Sequence, residues 1–296
     1  MGDRRVLTYL ALTFGFSTFF YVPILRAGTL AAGGGLCVLG LMWSPAVAAM
    51  TTQLLFERSL AGLGWRPGKP RWLLAGALLP LLYAALAYGA VWALGLGGFP
   101  APDFAARLAL RYPWAGSAGA AIAAYLGALA TVGLATSLLS AAGEEIGWRG
   151  LLFPRLAERL GVGRATLATA LVWFVYHLPL ILFADYRGGA PLAWSLACFA
   201  ALVLGGSFLF GWARLQSGSL WPPALLHASH NIFVQGFFDP ATADRGATAW
   251  WIGEFGVALP LAIAVVTCLC WWRWPVGAAP PAAAASELHV VDEEAG

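Results

Sequence analysis

The chain has 296 residues, of which 60% are hydrophobic and only 10% are charged, and its mean hydropathy is +0.75. Soluble domains carry roughly 25% charged residues, so this composition excludes an ordinary soluble protein and indicates a polytopic membrane protein. The formal net charge is only +3 and the arginines are spread between apolar runs, which excludes the basic face that a nucleic-acid partner would need.

Eight segments are apolar and long enough to cross a bilayer, which takes about 20 mostly apolar residues in a helix. They predict an all-α fold, a polytopic membrane helical bundle of about eight transmembrane helices that forms one domain over residues 1–275. In chain order, the predicted spans are about residues 6–25, 34–56, 72–96, 116–144, 165–184, 192–213, 220–237 and 250–272.

The segments between the spans differ in composition. Residues 97–114 contain several prolines and charges and predict a polar connection with a short surface helix. Residues 148–164 alternate apolar and basic side chains, a pattern that favours an amphipathic helix at the membrane surface. Residues 276–296 are acidic and of low complexity, and we expect a disordered tail.

The basic residues predict how the bundle is oriented. With the N-terminus in the cytoplasm, twelve of the 17 basic residues lie on the cytoplasmic side and five on the other, which favours two cytoplasmic termini. A single Lys beside many Ala, Gly, Trp and Arg residues suggests a GC-rich bacterial genome and hence the bacterial inner membrane. The twelve are Arg4, Arg5, Arg58, Arg66, Lys69, Arg71, Arg149, Arg155, Arg159, Arg164, Arg214 and Arg273.

Two adjacent carboxylates, Glu144 and Glu145, end the fourth predicted span, which contains no other charge. A charged group at membrane depth costs at least a few kcal/mol and tends to serve a function. Neighbouring side chains on a helix point about 100° apart, so only one of the two can face a given cavity. Glu145 and Arg149 have the spacing of an intrahelical ion pair, which leaves Glu144 as the candidate general base for water.

Histidines lie in two other predicted spans, His177 in the fifth and His227 and His230 in the seventh. His227 and Asn231 are four residues apart and share a helix face, where their N–H groups could stabilise an oxyanion. His177 could share the proton transfer with Glu144. A lone histidine would be explained by a hydrogen bond between helices, but the whole set favours a hydrolase, most simply a peptidase.

Other hydrolytic schemes fit the sequence less well. There is no H-E-x-x-H helix, no G-x-S-x-G elbow and no pair of aspartates within a span. The four cysteines have no paired zinc spacing and favour small core residues. A zinc site of Glu144, His177 and His227 stays open on residue types alone, and resistance of activity to a chelator would decide against it.

Three motifs, GEEIGWR, WFVYH and HASHN, resemble those of the CAAX-protease and bacteriocin-processing membrane family, which are E-E-x-x-x-R, F-x-x-x-H and H-x-x-x-N. The resemblance covers about residues 140–235, and the expected catalytic core is about 116–237. One position departs from the pattern, because Trp173 stands where the family has Phe. Matching the motifs are Glu144, Glu145, Arg149, His177, His227 and Asn231.

The resemblance implies an intramembrane endopeptidase that needs no metal or other cofactor. Glu144 and His177 would activate water, while His227 and Asn231 stabilise the oxyanion; the substrate would be a peptide or a membrane protein. Because the family also contains immunity and scaffold proteins, a non-catalytic membrane interaction protein is the alternative. A proton-linked transporter is a third possibility, but no repeat of the two halves supports it. We expect Trp148, Trp173 and His230 to line the pocket.

Overall fold

A computed structural model describes residues 4–276 of the chain. Within that range the secondary structure is helical and no β-strand occurs, which confirms the predicted all-α membrane bundle. The predicted disordered tail lies, apart from its first residue, outside the described residues.

The helices follow one another with short connections. In chain order the α-helices are α1 (Arg4–Ala27), α2 (Leu36–Glu57), α3 (Pro70–Ala93), α4 (Pro102–Arg111), α5 (Ala118–Ala128), α6 (Leu134–Glu145), α7 (Phe153–Leu160), α8 (Val162–Phe183), α9 (Leu192–Ser217), α10 (Trp221–His230), α11 (Asp239–Ala241) and α12 (Ala258–Arg273). Segments of π-helix occupy Leu129–Gly133, Ile146–Leu152 and Asn231–Phe238.

Six helices of the described chain are long and apolar enough to cross a membrane. They correspond to the first six predicted spans. The seventh predicted span is α10 with the π-helical segment Asn231–Phe238 after it, and the eighth is α12, which has 16 residues. Neither is among the six candidate spans, and α12 is apolar but shorter than those six helices, so the predicted count of eight is not established.

The predicted eighth span starts too early. It was expected from about residue 250, but the helix begins at Ala258. Gly253 has φ 73°, a conformation that residues other than glycine rarely adopt, and the chain before Ala258 makes turns instead of a helix. Glu254 therefore lies in a loop against the bundle and not within a span.

A continuous helical path runs from Ala118 to Leu160, because π-helical segments join α5, α6 and α7. The predicted surface helix over residues 148–164 is therefore only partly present. All residues of Ile146–Leu152 are buried, whereas in α7 beyond them Arg155 is half-buried and Arg159 is exposed. A π-helical turn inside an α-helix is uncommon and frequently marks a functional site, and this one directly follows Glu145.

Two glycines let α2 approach the helix that carries the paired glutamates. A Cβ on Gly143 would lie 2.6 Å from the carbonyl oxygen of Met42, and one on Gly147 would lie 2.5 Å from Pro45. These glycines are four residues apart, the small-residue spacing at which membrane helices pack backbone to backbone. The contact fixes the position of the residues between them, Glu144 and Glu145.

The outer surface of the bundle is apolar. On α3, four leucines at four-residue intervals are each about half exposed, with relative accessibilities between 49% and 58%. A stripe of this kind would be a liability in water and is the ordinary surface of a helix in lipid. Together with the six candidate spans, it identifies an integral membrane protein. The four are Leu74, Leu78, Leu82 and Leu86.

Candidate active site

A cavity of about 160 Å³ lies between α2, α3, α6, α8, α9 and α10. A water molecule needs roughly 10–15 Å³ on this measure, so the cavity has room for several waters or for part of a substrate. Its walls are mostly apolar, with polar side chains at restricted places. From the predicted site, Glu144, Trp173, His177, His227, His230 and Asn231 lie on its wall.

Glu144 is buried, and both of its hydrogen bonds go to one oxygen. The indole N–H groups of Trp148 and Trp173 each donate to Oε2 over 3.0 Å. Within residues 4–276, no side chain or backbone group donates to Oε1, and that atom is not sealed off as a buried polar atom without a partner. The two indoles therefore hold the carboxylate so that Oε1 is available to the cavity.

Glu145 points away from the cavity, as expected for the neighbour of a cavity-facing residue. Its Oε1 accepts from Arg149 Nη1 at 2.9 Å and lies 3.0 Å from His227 Nδ1. Glu145 and Arg149 have almost no exposed surface. A buried carboxylate accepts hydrogen bonds, so Nδ1 of His227 carries a proton and Nε2 is the nitrogen left for the cavity.

Arg149 is held by two aromatic rings in addition to the carboxylate of Glu145. Its guanidinium carbon lies 4.6 Å from the ring centre of Trp173 and 4.5 Å from that of Phe210. Such contacts are favourable for a desolvated cation. Trp173 thus contacts both charged parts of the site, since it also donates to Glu144. Phe in this position would pack on Arg149 but could not hydrogen-bond to Glu144.

His177 and Asn231 complete the arrangement. The Nδ1 of His177 lies 2.9 Å from the backbone oxygen of Trp173, which can only accept, so Nδ1 carries a proton, and Nε2 has no hydrogen-bond partner among the described residues. Ring centres lie 6.1 Å apart for Trp173 and His177 and 5.7 Å apart for Trp173 and His227. Asn231 begins a π-helical segment, and its amide has no hydrogen-bond partner within residues 4–276.

Two predicted site residues do not reach the cavity. Trp148, expected to line it, is fully buried behind Glu144, to which it donates its indole N–H. Glu145, proposed among the catalytic residues, is absent from the cavity wall and contacts it only through His227. Both residues support wall residues and do not reach the cavity themselves.

A second polar cluster lies on the same cavity and was not predicted. His230 has Tyr83 at 2.7 Å from Nδ1 and Glu254 at 3.1 Å from Nε2. Glu254 also accepts from Tyr186 at 2.7 Å and from Gln235 at 3.1 Å. His230 is therefore more than a wall residue, because it ties α10 to α3 and to the loop before α12. The sequence contained one signal for this cluster, because Glu254 is the lone carboxylate within the eighth predicted span.

Asp239 lies beside this cluster, after the π-helical segment, and accepts a hydrogen bond from Tyr88. Burial raises the pKa of Asp239 to about 7, with a further rise from Glu254, although the Tyr88 hydrogen bond opposes both. A raised carboxyl pKa favours the protonated form in the fold. The contribution of Asp239 to the stability of the fold is therefore fully present below the unfolded pKa of about 4 and is lost as pH rises through about 7.

Asp239→Asn is therefore expected to remove part of the fall in stability between pH 5 and pH 8. Thermal unfolding of the detergent-solubilised protein would show wild type losing more Tm over this interval than the variant. Asp103→Asn, at an exposed position in the first turn of α4, makes the same charge change and serves as the control. Equal pH profiles for wild type and Asp239→Asn would contradict the expectation.

Comparison with known proteins bears on this site. Residues 126–233 match the model of a family described as type II CAAX prenyl endopeptidase Rce1-like. These residues form an Rce1-like domain. The predicted family is thereby confirmed, and the Rce1-like domain contains Glu144, His177, His227 and Asn231. A comparison with curated proteins found no match for the chain.

The Rce1-like domain does not include the whole cavity. His230 and the paired glutamates lie inside the matched residues, whereas Tyr83 and Glu254 lie outside them. The second polar cluster thus joins the domain to flanking parts of the chain. Within residues 4–276, no three His, Cys, Asp or Glu side chains are grouped as metal ligands.

Proposed function

We propose that the chain is an intramembrane endopeptidase in which Glu144 and His177 activate a water molecule. The observation that carries the proposal is the position of Glu144, whose Oε1 is open to a cavity also lined by His177, His227 and Asn231. The match of residues 126–233 of the chain to an endopeptidase family supports the same class of reaction. The paired tryptophans keep the base oriented before a substrate arrives.

In this mechanism Glu144 Oε1 takes a proton from water, and the water oxygen bonds to the carbonyl carbon of the scissile peptide. His177 Nε2 is the free ring nitrogen and orients the water from a second side. The proton then passes from Glu144 to the amide nitrogen as the C–N bond breaks, giving a free carboxyl group and an amine. One group thus acts first as base and then as acid.

Asn231 and His227 would stabilise the oxyanion. The Asn231 amide supplies N–H directly, whereas His227 supplies one from Nε2 only when its ring is protonated, because Nδ1 already donates to Glu145. A protonated His227 and Arg149 would together balance the charges of the two glutamates. Such preorganised donors in a water-poor site are among the strongest contributions to catalysis.

The walls of the cavity indicate what would bind there. Leu41, Leu202 and Val203 belong to the apolar part of the cavity wall, which favours an apolar peptide or a membrane-protein segment as substrate. From the distribution of basic residues, we place both termini in the cytoplasm of a bacterial cell and the Glu144 end of the cavity toward that side.

A proteolysis assay tests the proposal. Purified protein in detergent would be incubated with a library of peptides, and products would be identified by mass spectrometry. The same reactions in excess EDTA would show whether a metal is needed, because activity by glutamate, histidine and asparagine alone would persist. Absence of cleavage of any peptide, by protein with a cooperative thermal transition, would favour the non-catalytic alternative.

Asn231→Ala is expected to lower kcat about 10²–10³-fold with little change in KM, since an oxyanion donor acts mainly in the transition state. Gln235→Ala is the matched control, because Gln235 is one turn further along the same helical path and lines the same cavity. A loss of similar size in both variants would contradict the role of Asn231.

A further inference from the structure

A second pocket, of about 460 Å³, lies at the end of the bundle where α2 ends and α3 begins. It is lined by the loop between those helices and by the end of α9, through Arg66 and Arg214 among other residues. Glycines form part of its wall, so backbone is accessible there. One of them, Gly64, has φ 86°, and a Cβ at that position would lie 3.0 Å from Nη2 of Arg214.

Both ionisable side chains on the pocket wall are arginines. Arg214 uses Nε to donate to the backbone oxygen of Arg149 at 2.9 Å. In the part of the chain that the structure describes, its two terminal nitrogens have no hydrogen-bond acceptor and no carboxylate pairs with it. Arg66 is exposed and likewise forms no ion pair within residues 4–276. The pocket therefore presents two cations without an internal anion.

The surroundings strengthen this positive potential. The exposed acids at this end within residues 4–276 are Glu57, which contacts Arg5 and Arg155, and Glu158, which lies 3.8 Å from Arg155. Neither lines the pocket. An anion would therefore meet Arg66 and Arg214 without competition from a neighbouring carboxylate, and arginine forks match the oxygens of a phosphate group.

We propose that this pocket binds a phosphate group, held by Arg66 and Arg214. Its position at the ends of membrane-spanning helices suits a lipid headgroup, and the same chemistry would accept free phosphate. The pocket also has a direct connection to the site described above. Arg214 holds the backbone of Arg149, whose guanidinium holds Glu145, which in turn holds His227.

Occupancy of the pocket would thus restrain the backbone of Arg149 through Arg214. This second part of the inference rests on the proposed function, because its readout is peptide cleavage. The binding part does not, since it is measured without any substrate. The two parts can therefore fail separately.

Binding would be measured in two arms. Native mass spectrometry of the detergent-solubilised full chain with phosphatidic acid tests the headgroup, and calorimetry with inorganic phosphate tests the free anion. Arg214→Gln and Arg66→Gln are expected to weaken binding about tenfold or more in whichever arm shows it. Arg66→Gln alters an exposed side chain, so its result does not depend on a change in the fold.

Arg164→Gln, at an exposed arginine at the start of α8, removes the same charge elsewhere and is the control. Binding in either arm that is lost in the two pocket variants and kept in the control supports the site. The arm that shows it identifies whether the ligand is a lipid headgroup or free phosphate. Binding that is unaffected by Arg66→Gln and Arg214→Gln, or weakened equally by Arg164→Gln, overturns it. So does the absence of binding in both arms.

For the coupling, saturating anion is expected to raise kcat of wild type about fivefold, which takes as its guide the lower end of typical affinity coupling between two sites. Arg66→Gln should keep the basal rate and lose the increase. An unchanged wild-type rate, with binding confirmed, would reject the coupling and leave the binding site in place. If no peptide is cleaved at all, the proposed function fails, while the binding measurements still decide the site.

Discussion

Glu144→Gln is expected to lower kcat for peptide cleavage about 10²–10⁴-fold, the usual contribution of a general base. Glutamine keeps an oxygen that can accept from both indoles, so the side chain should stay in place. It cannot take a proton from water. The thermal midpoint in detergent should therefore stay close to that of wild type while the rate falls.

Glu158→Gln makes the same substitution on the exposed face of α7 and should leave cleavage unchanged. Both variants would be compared at equal concentrations of folded protein, measured by gel filtration and thermal unfolding. Cleavage by Glu144→Gln within about threefold of wild type would remove Glu144 from the mechanism. A large loss of stability in a chain that cleaves nothing would instead indicate a structural role for the polar cluster.

Much of the site follows from local helix geometry. Adjacent helical residues diverge by about 100°, which separates a cavity-facing Glu144 from a paired Glu145, and residues four apart meet, which brings Glu145 to Arg149. The same rule also places Trp148 against Glu144, although Trp148 was expected on the cavity wall. A tryptophan beside a buried carboxylate needs an acceptor for its N–H, which could have indicated that contact.

What the sequence does not contain is the packing between distant segments. The contact of Trp173 with both Glu144 and Arg149 depends on how α8 meets α6 and the π-helical segment that follows it. Hydrophobic periodicity cannot reveal that segment, because all of its residues, Arg149 included, are buried and none of its faces is left to solvent or lipid. Glu254 was missed for a related reason, since the apolar run from about residue 250 was taken as a span although turns at Gly253 delay the start of the helix until Ala258.

The largest effect on stability is expected from Arg149→Met. The substitution leaves the carboxylate of Glu145 buried with only His227 beside it, and removing one partner of a buried pair typically costs about 3–5 kcal/mol. The cation–π contacts with Trp173 and Phe210 are lost as well. Equilibrium unfolding in mixed micelles of SDS and a mild detergent would measure the loss.

Arg155→Met is the control for removing an arginine from an ion pair that water reaches, and it should cost less than about 1 kcal/mol. A double variant with Glu145→Gln and Arg149→Met should recover most of the stability, because no uncompensated charge then remains in the bundle. If the double variant is as unstable as Arg149→Met alone, the cost comes from lost packing around the arginine and not from a buried Glu145 carboxylate left without a cation. Recovery of the fold without recovery of cleavage would show that Glu145 and Arg149 also serve to hold His227 in its catalytic orientation.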